Sequence, residues 1–248
     1  MPKPILILKN IPRENPGIIE ILLKEHSLQY QIIDFDNSTV IESIENYSAL
    51  IVLGGPDSAN DLTPKIQNEL LLIRNALESH IPYLGICLGL QTLVRAMGGK
   101  VDKCQTSEIG FRDPKNNYFN VRLTEEGRKD GLFKNLPDNF TVFQLHGETV
   151  QLTPKMNLLA TGDFCINQIV KIGKTAYGIQ SHFELTNDLL ESWIIEDLDL
   201  KKLSAEQLRS DFEKIKTDYQ NIGRQLFCNF LTNIGLINTT NSSHGLNN

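Results

Sequence analysis

A cysteine set between two glycines directly after an apolar run is a pattern suited to nucleophilic chemistry. Residues 81–91, reading Ile-Pro-Tyr-Leu-Gly-Ile-Cys-Leu-Gly-Leu-Gln, place one at Cys87. A strand that turns into a helix within one residue leaves that residue strained and crowded, and Gly85 and Gly89 provide the room. This is the elbow geometry of Gly-x-Ser-x-Gly hydrolases with sulfur in place of oxygen. The following residues read as a helix ending at Gly98-Gly99, so Cys87 falls at a helix N-terminus, where the dipole favours a thiolate. The competing reading is a buried structural cysteine, a common environment for free thiols.

A cysteine nucleophile needs a base, and the base needs an orienting group. Of the five histidines, His26 and His80 close helical stretches, where an imidazole complements the C-terminal dipole, and His244 lies in the tail. His182 closes the apolar strand 176–181 and is followed two positions later by Glu184. In extended backbone those two side chains share a face, so the carboxylate can reach the imidazole and fix its tautomer.

The elements that must position these groups alternate in the first half of the chain. Strand-like runs at 5–9, 30–35, 49–53 and 83–87 are separated by helical stretches at 16–25 and 63–79. That βαβα order implies a mostly parallel sheet with helices on both faces and chemistry beyond the carboxyl ends of the strands. From about 117 to 183 the pattern changes to short strands and turns, read as hairpins extending the sheet. From 186 to 236 apolar residues recur at helical spacing, as in Leu208, Phe212, Ile215, Tyr219, Ile222, Leu226 and Phe230. We expect one domain over 1–237 and a disordered Asn-, Ser- and Thr-rich tail over 238–248.

The chain has 248 residues, 40% of them hydrophobic, and a net charge of −6, which argues against nucleic acid or an anionic membrane as partner. Cys87, Cys104, Cys165 and Cys228 show neither paired metal-ligand spacing nor the density of a disulfide scaffold. A reducing cytoplasm, no metal and no cofactor are the expectations. No segment reaches membrane-spanning length, and the apolar run at the N-terminus is too short for a signal peptide.

Taken together, the stretches 85–91 (Gly-Ile-Cys-Leu-Gly-Leu-Gln) and 178–184 (Gly-Ile-Gln-Ser-His-Phe-Glu) resemble those of the class I, triad-type glutamine amidotransferases. Gly54-Gly55-Pro56, Glu108-Ile109-Gly110-Phe111 and Leu145-His146-Gly147-Glu148 follow the family order, and the resemblance is closest to the amidotransferase domain of GMP synthetase and its free-standing relatives. It implies a flavodoxin-like sheet and a Cys87–His182–Glu184 triad that hydrolyses the glutamine side-chain amide through a γ-glutamyl thioester. It also implies an oxyanion site at the backbone amides of Gly55 and Leu88, and substrate contacts from Gln91, Gly147 and Glu148, with His146 a loop residue of the pocket. A separate synthase subunit receiving ammonia is the implied partner. The alternatives are a γ-glutamyl peptide hydrolase and a partner-gated or regulatory subunit with little activity alone. Ser181, Phe183 and Leu90 depart from the usual family residues without removing a catalytic group.

Two phosphate-loop lookalikes are set aside. Pro56 removes an amide that a phosphate cradle at Gly54-Gly55 would use, and Gly173-Lys174-Thr175 sits in a strand-turn-strand context rather than a strand-loop-helix one.

Overall fold

The computed structural model describes residues 2–36, 39 and 41–238; the expected tail from 239 onward lies outside the described residues. The first half reads β1 (Ile5–Lys9), α1 (Ile18–Glu25), β2 (Tyr30–Asp34), β3 (Ala49–Val52), α2 (Pro64–Glu78), β4 (Tyr83–Ile86) and α3 (Leu88–Ala96). It continues through β5 (Lys100–Gly110), β6 (Asn120–Leu123), α4 (Glu125–Lys129), β7 (Asn139–Thr141), β8 (Gln144–Gln151), β9 (Met156–Thr161), β10 (Ile169–Ile172) and β11 (Ala176–Ile179). Two helices, α5 (Asn187–Glu196) and α6 (Ala205–Asn233), follow.

Among the described residues, nine strands form one sheet in the order β2-β1-β3-β4-β11-β10-β9-β6-β7. The neighbours from β2 to β11 run parallel, and the remainder pair antiparallel. This is the mostly parallel, flavodoxin-like α/β architecture that the alternating pattern implied. The segment around Gly173 is the tight β10–β11 turn, with Gly173 at a φ of 61°. One expectation changes. β8 does not extend the sheet but pairs with β5 in a separate two-stranded antiparallel ribbon. β5 is rich in charged and polar side chains and buries only Val101, Glu108 and Gly110, and such a strand gives a weaker signal than the continuous apolar runs of a doubly covered sheet.

Alternation along the central strands feeds both faces. Ile5 and Ile7 of β1 pack with α1 and α6, through Ile18, Leu22, Leu226 and Phe230. Leu6 and Leu8 of the same strand pack with α2 and α3, through Ile66, Ile73, Leu90 and Leu93. Helix starts are capped where side chains allow: Thr63 accepts from Ile66 N–H, Thr186 from Leu189 N–H and Ser204 from Gln207 N–H. A third cluster, built on Trp193 with Phe111, Phe143, Phe212 and Tyr219, seats α5 and α6 beside the ribbon.

Glu69, on α2, is fully buried. Burial pushes its carboxyl from the ordinary 4.5 up to about 7, and Thr92 and Asn10 beside it offset only part of that. The folded state therefore binds this proton more tightly than the unfolded chain does. The resulting stabilisation is complete below about pH 4.5 and is lost as pH rises through about 7. Glu69→Gln should remove this loss: thermal unfolding followed between pH 5.5 and 8 should show a fall in Tm smaller by a few degrees than in the unaltered chain.

Candidate active site

Cys87 is the residue before α3, and its backbone sits at φ 52°, ψ −104°. A non-glycine residue held there is strained and points to function when the surroundings enforce it. The enforcement is visible on every side. Cys87 N–H donates to Ile179 O at 2.7 Å, tying the turn to β11. A Cβ on Gly85 would come within 2.3 Å of Gly89 O, and one on Gly89 within 2.3 Å of Val52 O. The two flanking glycines thus let α3 press directly onto β3 and β4.

Next to β4 runs β11, in register with it through Ile86 and Ile179. Beyond its end, His182 N–H donates to Phe143 O at 2.9 Å, and Tyr219 O–H of α6 donates to His182 O at 2.7 Å. The imidazole lies edge-on to Trp193, with ring centroids 4.8 Å apart. Its Nδ1 is 2.6 Å from Glu184 Oε1, while Glu184 Oε2 accepts from Phe183 N–H at 2.8 Å. All three side chains are buried, with Cys87 6% exposed and His182 and Glu184 1% each.

The electrostatics follow from this burial. Desolvation works to lower the His182 pKa, but the Glu184 charge and the pairing with Cys87 outweigh it and hold the imidazole well above its ordinary 6.5. Near this pair, the Glu14 carboxyl is pushed up to about 7, chiefly by burial, with the neighbouring His182 partly opposing it.

A cleft of about 370 Å³ opens over the sulfur, lined in part by Gly55, Cys87, Gln91, Gly147, Glu148 and His182. A Cβ on Gly55 would stand 3.2 Å from Leu88 Cδ2, so the loop after β3 and the first turn of α3 meet beside the cysteine. Gln91 Nε2 donates to Glu148 O at 3.2 Å, and the Glu148 carboxylate accepts from Ser58 Oγ at 2.9 Å. The residues read from the sequence as catalytic, oxyanion and substrate-binding groups therefore gather in one place. His146 is the partial exception. It is a residue of β8 rather than of a loop, and both ring nitrogens have partners away from the triad: Nε2 is 2.9 Å from Glu108 Oε2 and Nδ1 is 3.1 Å from Glu148 O.

A sequence profile of the family described as glutamine amidotransferase class-I matches residues 18–199. The chain belongs to that family. One subunit of the glutamine-hydrolyzing GMP synthase of Methanococcus maripaludis is 33% identical over 156 residues, which cover 61% of this chain and 73% of that one. The glutamine-hydrolyzing GMP synthase of Thermosipho melanesiensis is 33% identical over 183 residues, 69% of this chain but only 31% of that relative. A glutamine amidotransferase of Thermotoga maritima superposes with a TM-score of 0.81 at 26% identity, covering 93% of this chain and 97% of the other.

Two further residues beside the triad of this amidotransferase were not singled out by sequence motifs. Gln180 Nε2 reaches Cys87 Sγ at 3.7 Å, and its Oε1 accepts from Gln91 at 3.4 Å. The two-residue spacing that selected His182 and Glu184 also selects Gln180, so this signal was available. Glu14, on the loop after β1, carries no motif, and only the sheet order brings it to the triad.

Glu184→Gln removes the charge that does most to raise the His182 pKa, so the imidazole should lose its proton at lower pH. Alkylation of Cys87 by chloroacetamide at pH 7 should then slow by about 10-fold or more; an unchanged pH profile of alkylation would show that Glu184 does not set the charge of His182.

Proposed function

We propose that the chain hydrolyses the side-chain amide of glutamine to glutamate and ammonia through a γ-glutamyl thioester on Cys87. The observation that carries this reading is that one cleft is lined both by Cys87, at the strained turn after β4, and by His182, buried and paired with Glu184 beyond the end of the neighbouring β11.

In this mechanism Cys87 Sγ attacks the amide carbon, and the negative charge passes to the carbonyl oxygen. The backbone N–H groups of Gly55 and Leu88 receive that oxyanion; losing one such donor typically costs about 10²- to 10³-fold in rate. His182 hands its proton to the departing amine, which leaves as ammonia. It then takes a proton from the water that attacks the thioester, and glutamate is released with the thiol restored. Glu184 keeps the ring in one tautomer and stabilises its charged form. Gln91, Gly147 and Glu148 hold the amino-acid end of the substrate, with the Glu148 carboxylate suited to its ammonium group.

Ammonia made in this way is useful where an activated acceptor waits. The Methanococcus maripaludis relative is one subunit of a GMP synthase, which supports a separate synthase chain as the partner that consumes it. A γ-glutamyl peptide presents the same scissile bond, so the test compares both substrates. Purified chain should release glutamate from glutamine faster than from γ-glutamyl peptides, and Cys87→Ala should lower that release by more than about 10³-fold while leaving the circular dichroism unchanged. Retained turnover in Cys87→Ala would overturn the mechanism, and faster peptide cleavage would overturn the substrate.

A further inference from the structure

Along the wall of the cleft that His146 lines, a second set of chemistry-bearing side chains converges that the amide-hydrolysis mechanism does not use. Cys104 on β5, His146 on β8 and Cys165 on the β9–β10 connection bring two thiol sulfurs and one imidazole nitrogen within 4.8 Å of one another. Residues 61 positions apart in sequence meet here only because the ribbon folds back on the sheet. We propose that this cluster is a binding site for a tetrahedral zinc ion, with Cys104 Sγ, Cys165 Sγ and His146 Nδ1 as protein ligands and water in the fourth position.

The first support is geometric. Zinc bonds of the usual lengths place a tetrahedral sulfur–nitrogen pair about 3.5 Å apart and a sulfur pair about 3.8 Å apart. Cys104 Sγ stands 3.7 Å from His146 Nδ1. With all three donors inside 4.8 Å, closure around an ion needs shifts of at most about 1 Å.

The second support lies in what orients the donors. A histidine that binds a metal through one nitrogen usually donates the other N–H to a carboxylate, which fixes ring and tautomer. His146 Nε2 faces Glu108 Oε2 at 2.9 Å, and its Nδ1 lies 3.7 Å from Cys104 Sγ and 3.1 Å from the Glu148 carbonyl, a contact that the ion would replace. Glu108 is 1% exposed and also holds the Cys165 backbone, accepting its N–H at 3.2 Å, and the Gln168 amide at 3.0 Å. One buried carboxylate thus places two of the three ligands. Thr149 Oγ1, 3.2 Å from Cys165 Sγ, adds a contact to that sulfur.

The third is the β5 backbone. The ribbon register passes from Lys103↔Glu148 to Glu108↔His146, so residues 104–107 bulge out of the ladder at Cys104. Bulges re-aim side chains, often beside functional sites. This one turns Cys104 toward a histidine on the opposite strand. Cys104 is also partly exposed, which gives an ion a way in and water a place beside it. A plain disulfide between Cys104 and Cys165 would need neither the histidine nor the carboxylate behind it.

The reduced, full-length chain, freed of chelator, is titrated with cobalt(II) and with zinc. One cobalt per chain should bind with thiolate-to-metal charge-transfer absorption and the intense visible bands of a tetrahedral ion, and zinc should displace it. Cys87→Ser should leave the spectrum intact, whereas Cys104→Ser and Cys165→Ser should abolish it. Glu108→Gln, which keeps all three ligands, should weaken zinc binding about 10- to 100-fold, with circular dichroism checking that each variant folds. The proposal falls if the unaltered chain gives no tetrahedral spectrum. It also falls if the spectrum survives Cys104→Ser but vanishes in Cys87→Ser, or if thiol counting finds Cys104 and Cys165 joined as a disulfide that excludes the metal.

Discussion

The site depends on a backbone that passes from strand to helix through a single strained residue. Holding Cys87 at positive φ costs on the order of 1–3 kcal/mol, and the fold offsets that cost with contacts no larger residue would permit. Gly89 against Val52 O and Gly85 against Gly89 O bring α3 closer to the sheet than any side chain would allow. Tyr83 O–H, donating to Gly89 O at 2.7 Å, satisfies a carbonyl in that tight packing. The hydrogen bond from Cys87 N–H to Ile179 O then makes β11 part of the same turn. Because β11 also leads directly to His182, three residues beyond its end, nucleophile and base are fixed relative to each other by backbone rather than by side-chain reach.

Charge is managed with similar economy. The two ionisable partners of the sulfur are buried, where an isolated charge would be expensive. Glu184 is tolerated because both carboxylate oxygens are engaged, one by His182 and one by the Phe183 amide. A second carboxyl so close would oppose that arrangement if it were ionised. Glu14 avoids the conflict by giving up its proton only near pH 7, so the net charge around the imidazole shifts within the physiological range.

Much of this was legible in the chain itself. The continuous apolar runs of β1, β3 and β4 pointed to the parallel sheet because strands covered on both faces have no polar side to show. The elbow was readable because its glycines are local, and His182 with Glu184 because they sit two apart in extended backbone. What could not be read is whatever depends on register between distant strands. β5 carries Lys100, Asp102, Lys103 and Glu108, a composition that suggests loop as much as strand. Its pairing with β8 removed His146 from the loop expected for it. The same pairing explains why four cysteines without metal-ligand spacing can still include two that meet at one histidine. Spacing rules describe ligands on one local element, and these three come from three.

The hold of α6 on the strand end has a consequence for the order of events during synthesis. Tyr219 secures the His182 carbonyl, and Gly223 lets the helix approach so closely that a Cβ there would lie 2.3 Å from Phe183 O. Both residues follow the triad in the chain, so a ribosome delivers the nucleophile, base and carboxylate before it delivers the clasp that seats them. A nascent polypeptide that has exposed Cys87 and His182 therefore still lacks the Tyr219 hold on the His182 carbonyl. The strand end that carries the base is clasped from outside only once the last long helix has docked.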